Sequence, residues 1–228
     1  LASVPVGAFD IRRVRRICGL SPRVEPLYII CIGKPVAASG QGELSDSTQT
    51  DRQTTAALLI ASANDFSDEQ LFITRGRLER AGIKTTLASG RIGPVTGTRG
   101  GKTTADMSVS DVTAKNYDAV ILIGGAGAKQ FYNNYHAHDI VRQAMEQNKV
   151  VAASGEAIKT LAAAKVLRKK TVAAPDSLRE KIEQTQTAYS DTAVATDGNL
   201  ITARGSEQAP EFAEKILELL KNQDNNSD

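Results

Sequence analysis

From residue 56 onward, short apolar runs alternate with stretches whose apolar residues recur about once per helical turn. "AALLIAS" is a buried strand. Asp68 to Arg80 follows, with Leu71, Phe72, Arg75 and Leu78 about one turn apart, a helix. "KTTLAS" is again a strand. "AVILIGG" is a continuous apolar run, as expected in the middle of a parallel sheet covered on both faces. Asp139 to Gln147 reads as a helix, "VVAAS" as a strand, Glu156 to Ala164 as a helix and "TVAA" as a strand. "TAVATDGNLITA" places two short strands around Asp197-Gly198, a hairpin signal. Pro210 opens a last helix whose apolar face is Phe212, Ala213, Ile216, Leu217 and Leu220. This alternation predicts an α/β fold with a doubly wound, mostly parallel sheet and helices on both faces. Ligands in such sheets bind beyond the carboxyl ends of the strands, which directs attention to the ends of "VVAAS" and "AVILIGG".

Two zones precede this one. In Val4 to Pro35, Asp10 caps a short helix with Ile11, Val14, Ile17 and Cys18 on one side, Gly19 ends it, and a strand-like run covers Leu27 to Ile32. Residues 36–55 are rich in Ser, Thr, Gly, Gln and Asp, the composition of a flexible linker. The tail, residues 222–228, is polar and expected to be disordered.

Composition narrows the function classes. Charges are mixed and the net charge is only +2, against the concentrated basic surface of a nucleic-acid binder. Trp is absent and aromatics make up 4%, which argues against base stacking. No run approaches the roughly 18 apolar residues that span a bilayer. Arg12, Arg13, Arg15 and Arg16 follow the apolar start, the wrong order for a signal peptide, and are read as a solvated helix face. Cys18 and Cys31 make no disulfide framework, so the expectation is a reduced, cytoplasmic setting. The chain opens on Leu1, from which a fragment or a processed chain is expected.

"VVAASGEA" has the form of the strand-to-helix turn on which many α/β enzymes mount a nucleophile, yet its tip is Gly155. With "AGIKTTLAS", "ADMSVSDVTAKNYDAVILIGG" and "DGNLITARGSEQAPEFAEKILELL", it makes residues 56–221 resemble the DJ-1/ThiJ/PfpI family. The resemblance implies a flavodoxin-like, class I glutamine amidotransferase-like fold. It also implies a site with a Cys at the elbow, often a His after it, and a Glu shortly after the first strand. Carried over without gaps, the Cys position falls on Gly155, the His position on Glu156 and the Glu position on Ser67. Only Gly124-Gly125 is retained, a turn whose backbone N–H groups suit an oxyanion. A similar loss marks the terminal domain of large-subunit catalases, which has no known site chemistry. The implied function is a catalytically degenerate domain acting in binding, assembly or regulation, with a homo-oligomer as one expected partner. The alternative is a hydrolase or glyoxalase-like enzyme using Ser154 and Glu156.

Both alternative residues have plain structural readings. Ser154 occupies a core-facing position, and an acid at the first turn of a helix complements the dipole. Ser67 and Asp68 form an N-cap signature. "TGTRGGKTT" resembles a phosphate-binding loop, but Thr96 stands where its first Gly is needed and no helix follows, so a hairpin or loop is expected. His136 and His138 lack a third ligand, and no metal site is expected. Finally, "GAFDIRRVRRICGL...EPLYIICIGKP" resembles the C-terminal end of a SagB-type nitroreductase over residues 1–35. That resemblance implies FMN near Gly7-Ala8 in a longer parent, with a flavin domain upstream of Leu1 and no cofactor in this chain.

Overall fold

The computed structural model describes residues 55–225 of the chain. The readings placed on Gly7, Ala8, Cys18, Cys31 and the rest of residues 1–54 lie outside the described residues. Seven strands form the main sheet. They are β1 (Ala56–Ile60), β3 (Lys84–Ser89), β6 (Met107–Ser108), β7 (Ala119–Leu122), β8 (Val150–Ser154), β11 (Val194–Asp197) and β12 (Leu200–Ala203). Their order is β11-β12-β8-β7-β1-β3-β6, and every pairing is parallel except β11 with β12. "AVILIGG" is therefore a central strand, and Val120 to Ile123 are fully buried.

The continuous apolar runs make sense once the two faces are separated, because successive side chains point to opposite sides of a sheet. Leu58, Ile60, Val120, Leu122 and Val151 point to one face. There they meet Ile140, Val141 and Ala144 of helix α2 (Tyr135–Glu146) and Ile158 and Leu161 of α3 (Ile158–Ala163). Ala57, Leu59, Ile121, Val150 and Ala152 point to the other. They are covered by Leu71 and Leu78 of α1 (Asp68–Arg80) and by Phe212, Ile216 and Leu220 of α5 (Ala209–Asn225). The doubly wound prediction thus holds down to the alternation within single strands.

Four local details differ from the sequence reading. "TVAA" yields only β9 (Thr171–Val172), which leaves the main sheet and pairs with β10 (Ala188–Tyr189), a strand the apolar pattern does not show. Helix α2 starts four residues before Asp139, because the Asn134 side chain accepts a hydrogen bond from the Ala137 N–H at 2.9 Å and caps it there. The helix expected from Glu156 is first a 3-10 turn, Gly155–Ala157, that passes into α3. Helix α5 runs past Lys221 to Asn225, into the segment read as a tail. A short helix α4 (Arg179–Glu183) follows β9.

"TGTRGGKTT" is a hairpin, as expected. Its strands β4 (Gly93–Gly97) and β5 (Lys102–Ala105) are antiparallel, and β2 (Asn64–Phe66) pairs with β4 to make a separate three-stranded sheet. The carboxylate of Asp68 sits in the hairpin turn, accepting from the Arg99 N–H at 2.8 Å and the Gly101 N–H at 2.7 Å. A turn that resembles a phosphate cradle in sequence is filled by an anion from its own chain.

Candidate functional site

The strand order reverses between β1 and β7, and the turns after β1, β7 and β8 converge at the carboxyl edge of the sheet. Gly155 forms the tip of the turn after β8. Its φ is +56°, a left-handed conformation that side-chain-bearing residues seldom adopt, while Ser154 before it is extended. A Cβ built at Gly155 meets nothing closer than Gln70 Nε2 at 3.7 Å and the Arg204 carbonyl at 3.8 Å. The elbow is therefore intact, and it has room for a side chain that the sequence does not supply.

Gly124 and Gly125 follow β7. A Cβ at Gly124 would run into the Ser154 carbonyl where β7 approaches β8, and Gly125 has φ +111° with the backbone of Asp65 to Ser67 against it, so both positions demand glycine. The turn is tied to α1 by two hydrogen bonds of 2.8 Å each. Ser67 N–H donates to the Gly124 carbonyl, and Gly124 N–H donates to Gln70 Oε1. The Gly124 N–H is thus engaged and is not open to an oxyanion.

Ser67 is the N-cap of α1, its Oγ accepting from the Gln70 N–H at 3.5 Å. Sequence spacing puts the Glu-equivalent position there. The side chain that faces Gly155 is instead Gln70, one helical turn further on and only 2% exposed. Ser-x-x-Gln is a capping-box spacing, in which the Gln returns to the cap N–H. Here the Gln reaches across to Gly124 instead. That is invisible in sequence, because the partner lies 54 residues away.

Ser154 is fully buried, and its Oγ has no hydrogen-bond partner among the described residues. Among the described residues no base is within hydrogen-bond reach to take its proton. Glu156 is already committed. Tyr132 Oη donates to its Oε2 at 2.9 Å, and Lys159 Nζ lies 2.5 Å from the same oxygen. Burial pushes the Glu156 carboxyl up, but the hydrogen bonds from Lys159 and Tyr132 and the charges of Lys159 and Lys181 outweigh it, leaving it below its ordinary value. Tyr132 moves the other way, raised by burial and by the adjacent carboxylate. Glu156 is held as an anion in a structural pair, a poor general base near neutral pH. His138 Nε2 is hydrogen-bonded to the Tyr132 carbonyl at 2.9 Å, and among the described residues no group of three His, Cys, Asp or Glu can hold a metal ion. No helix among the described residues is long and apolar enough to cross a membrane.

The sequence profile of a known family matches residues 55–219, the whole of this sheet and its turns. The chain belongs to the DJ-1/PfpI family. Within it, the chain is 30% identical over 181 residues to an uncharacterized protein of Methanocaldococcus jannaschii, covering 78% of this chain and 88% of that one. It is 27% identical over 164 residues to the deglycase PfpI of Pyrococcus furiosus, covering 72% and 99%. The crystal structure of a ThiJ/PfpI domain protein from Brachyspira murdochii superposes with a TM-score of 0.72 at 28% identity, covering 75% of this chain and 98% of the other. The DJ-1/PfpI match begins at the end of the Ser/Thr-rich zone, so it carries nothing about residues 1–35.

Proposed function

We propose that the DJ-1/PfpI domain of this chain is a binding, assembly or regulatory module without the thiol chemistry of its family. One observation carries the reading. The elbow tip is Gly155, and the side chain facing it is the neutral amide of Gln70 rather than an acid. The substitute pair is poorly placed for catalysis, since Ser154 is buried without a base and Glu156 is locked to Tyr132 and Lys159. Deglycase activity belongs to the Pyrococcus furiosus relative by name, and the thiol nucleophile that family chemistry needs is absent from this elbow. The motifs of residues 1–35 support a tether to a flavin-dependent nitroreductase-like oxidoreductase as part of the same proposal.

The test is an assay of the purified chain for methylglyoxal consumption and for hydrolysis of p-nitrophenyl acetate. Rates at the buffer background are expected. Turnover that disappears in Ser154→Ala overturns the proposal and establishes the hydrolase or glyoxalase-like alternative. The flavin part is read separately, from FMN absorbance of a longer parent purified with its upstream sequence.

A further inference from the structure

On the face of the sheet covered by α2 and α3, beside the Tyr132–Glu156–Lys159 cluster, the surface opens into two adjoining cavities. The first, of about 300 Å³, has an apolar floor of Ile158, Ala162, Leu178 and Ile182, with Lys159 and Lys181 at its edge. The second, of about 370 Å³, shares Ala162 and Thr185 with the first and adds Leu167, Lys165 and Arg168. No Asp or Glu lines either cavity. Each volume falls near the lower end of the range for small-molecule sites, which are mostly apolar with a few polar groups to orient the ligand.

Two features set this groove apart from an ordinary crevice between helices. The first is its charge. Four cations border an apolar floor, and although Lys159 is paired with Glu156, no ion pair among the described residues takes up Lys181, Lys165 or Arg168. Long lysine side chains lay their methylenes on apolar surface and keep the ammonium at the rim, so such a groove offers grease and positive charge together. The second feature is conformational. Helix α3 ends on Lys165 at φ +63°, with the Val166 N–H bonded back to the Leu161 carbonyl. That is the left-handed helix-end position where glycine is usual. A lysine there is strained, and its side chain lines the second cavity.

We infer that this groove binds an amphipathic anion, a medium-length acyl chain carrying a carboxylate or a similar head. The head lies at the rim beside Lys181, and the chain runs over Ile158, Ala162 and Ile182 toward Leu167. Lysine ammoniums act as point charges without the planar fork of arginine, which suits a simple carboxylate. The inference goes beyond the proposed function and does not depend on it. An active elbow would end that proposal and leave the groove intact, and an empty groove would leave the elbow inert.

The test is fluorescence titration of the full chain with 11-(dansylamino)undecanoate, followed by competition with decanoate, decyl phosphate and decanol. Saturable binding is expected, displaced by decanoate or decyl phosphate at least about ten-fold better than by decanol. Whichever anion competes better identifies the head. Raising the salt from about 50 mM to about 500 mM weakens binding several-fold. Lys181→Glu, a change at an exposed position, lowers affinity by about five-fold or more. Lys165→Gly separates binding from folding, because it removes a cation while relieving a left-handed backbone. It is expected to weaken the probe and leave the thermal midpoint no lower than wild type. Absence of saturable binding, decanol competing as well as decanoate, or unchanged affinity in both variants overturns the inference.

Discussion

Two glycine-bearing turns in this protein look, in sequence, like places for an anion. The hairpin turn of "TGTRGGKTT" and the elbow of "VVAASGEA" each present backbone where a charged group belongs. In the hairpin the anion is present, because the Asp68 carboxylate accepts from Arg99 N–H and Gly101 N–H. At the elbow the one acid, Glu156, is taken up by Lys159 and Tyr132, and the side chain from outside the turn that faces the tip is the neutral amide of Gln70. The two turns draw on the same helix, α1, within its first three residues. The difference teaches that such a turn specifies geometry only. Its chemistry is set by whichever side chain the neighbouring element delivers.

The comparison breaks most severely at Asp68. Asp68→Ala strands two backbone N–H groups in the hairpin turn and removes an acid from the first turn of α1. A loss of about 3 kcal/mol in urea unfolding is expected. A loss near zero would mean that the turn holds itself and that its likeness to an anion cradle is incidental.

At the elbow the effects are smaller, since no charge is involved. Gly155→Ala is expected to cost about 1–2 kcal/mol, through its left-handed φ and not through a clash, because the nearest atom to the new Cβ is 3.7 Å away. Gln70→Leu leaves the Gly124 N–H without its acceptor and is expected to cost about 1 kcal/mol by the same measurement. Equal losses in Asp68→Ala and Gln70→Leu would erase the contrast between a charged and a neutral anchor.

The smallest effect sharpens the role of Glu156. Its carboxyl ionises more readily in the folded chain than in the unfolded one, through Lys159 and Tyr132. Its contribution to stability is therefore complete above the ordinary carboxyl value of 4.5 and is lost as the pH falls through the lower folded value. Glu156→Gln is expected to lower the thermal midpoint slightly near neutral pH, where that contribution is complete, and to flatten its fall in that window. A catalytic Glu156 would instead show its effect on turnover.

The large features are legible because each is written locally. β1, β7 and β8 are apolar on both faces and can be placed nowhere but mid-sheet. The hairpin around Asp197-Gly198 and the apolar stripe of α5 carry their own signals in adjacent residues. The bounds of Asp68–Arg80 can be read correctly because Ser67 caps one end. The misreadings share a cause. β9 and β10 are two residues each, too short for any period to register, and they pair with each other rather than extending the main sheet. The function of Gln70 depends on Gly124 arriving from another strand, so spacing along the chain points to Ser67 instead. Tyr132, which orients Glu156, lies 24 residues before it and has no motif of its own.

The central claim is that the elbow keeps the backbone architecture of a thiolate site although the thiol and the acid that faces it are gone. It is tested most directly by titrating the thiol of Gly155→Cys, with Cys18 and Cys31 replaced by Ser and folding checked by circular dichroism. The rate of iodoacetamide labelling against pH gives its pKa. The turn into α3 and the Gln70 amide both favour the thiolate, so a value well below the ordinary cysteine range of about 8.5 is predicted, moving back toward it in the Gln70→Leu background. A folded variant whose introduced thiol titrates at or above about 8.5 would contradict the claim, since the turn would then hold the shape of the family site without its electrostatics.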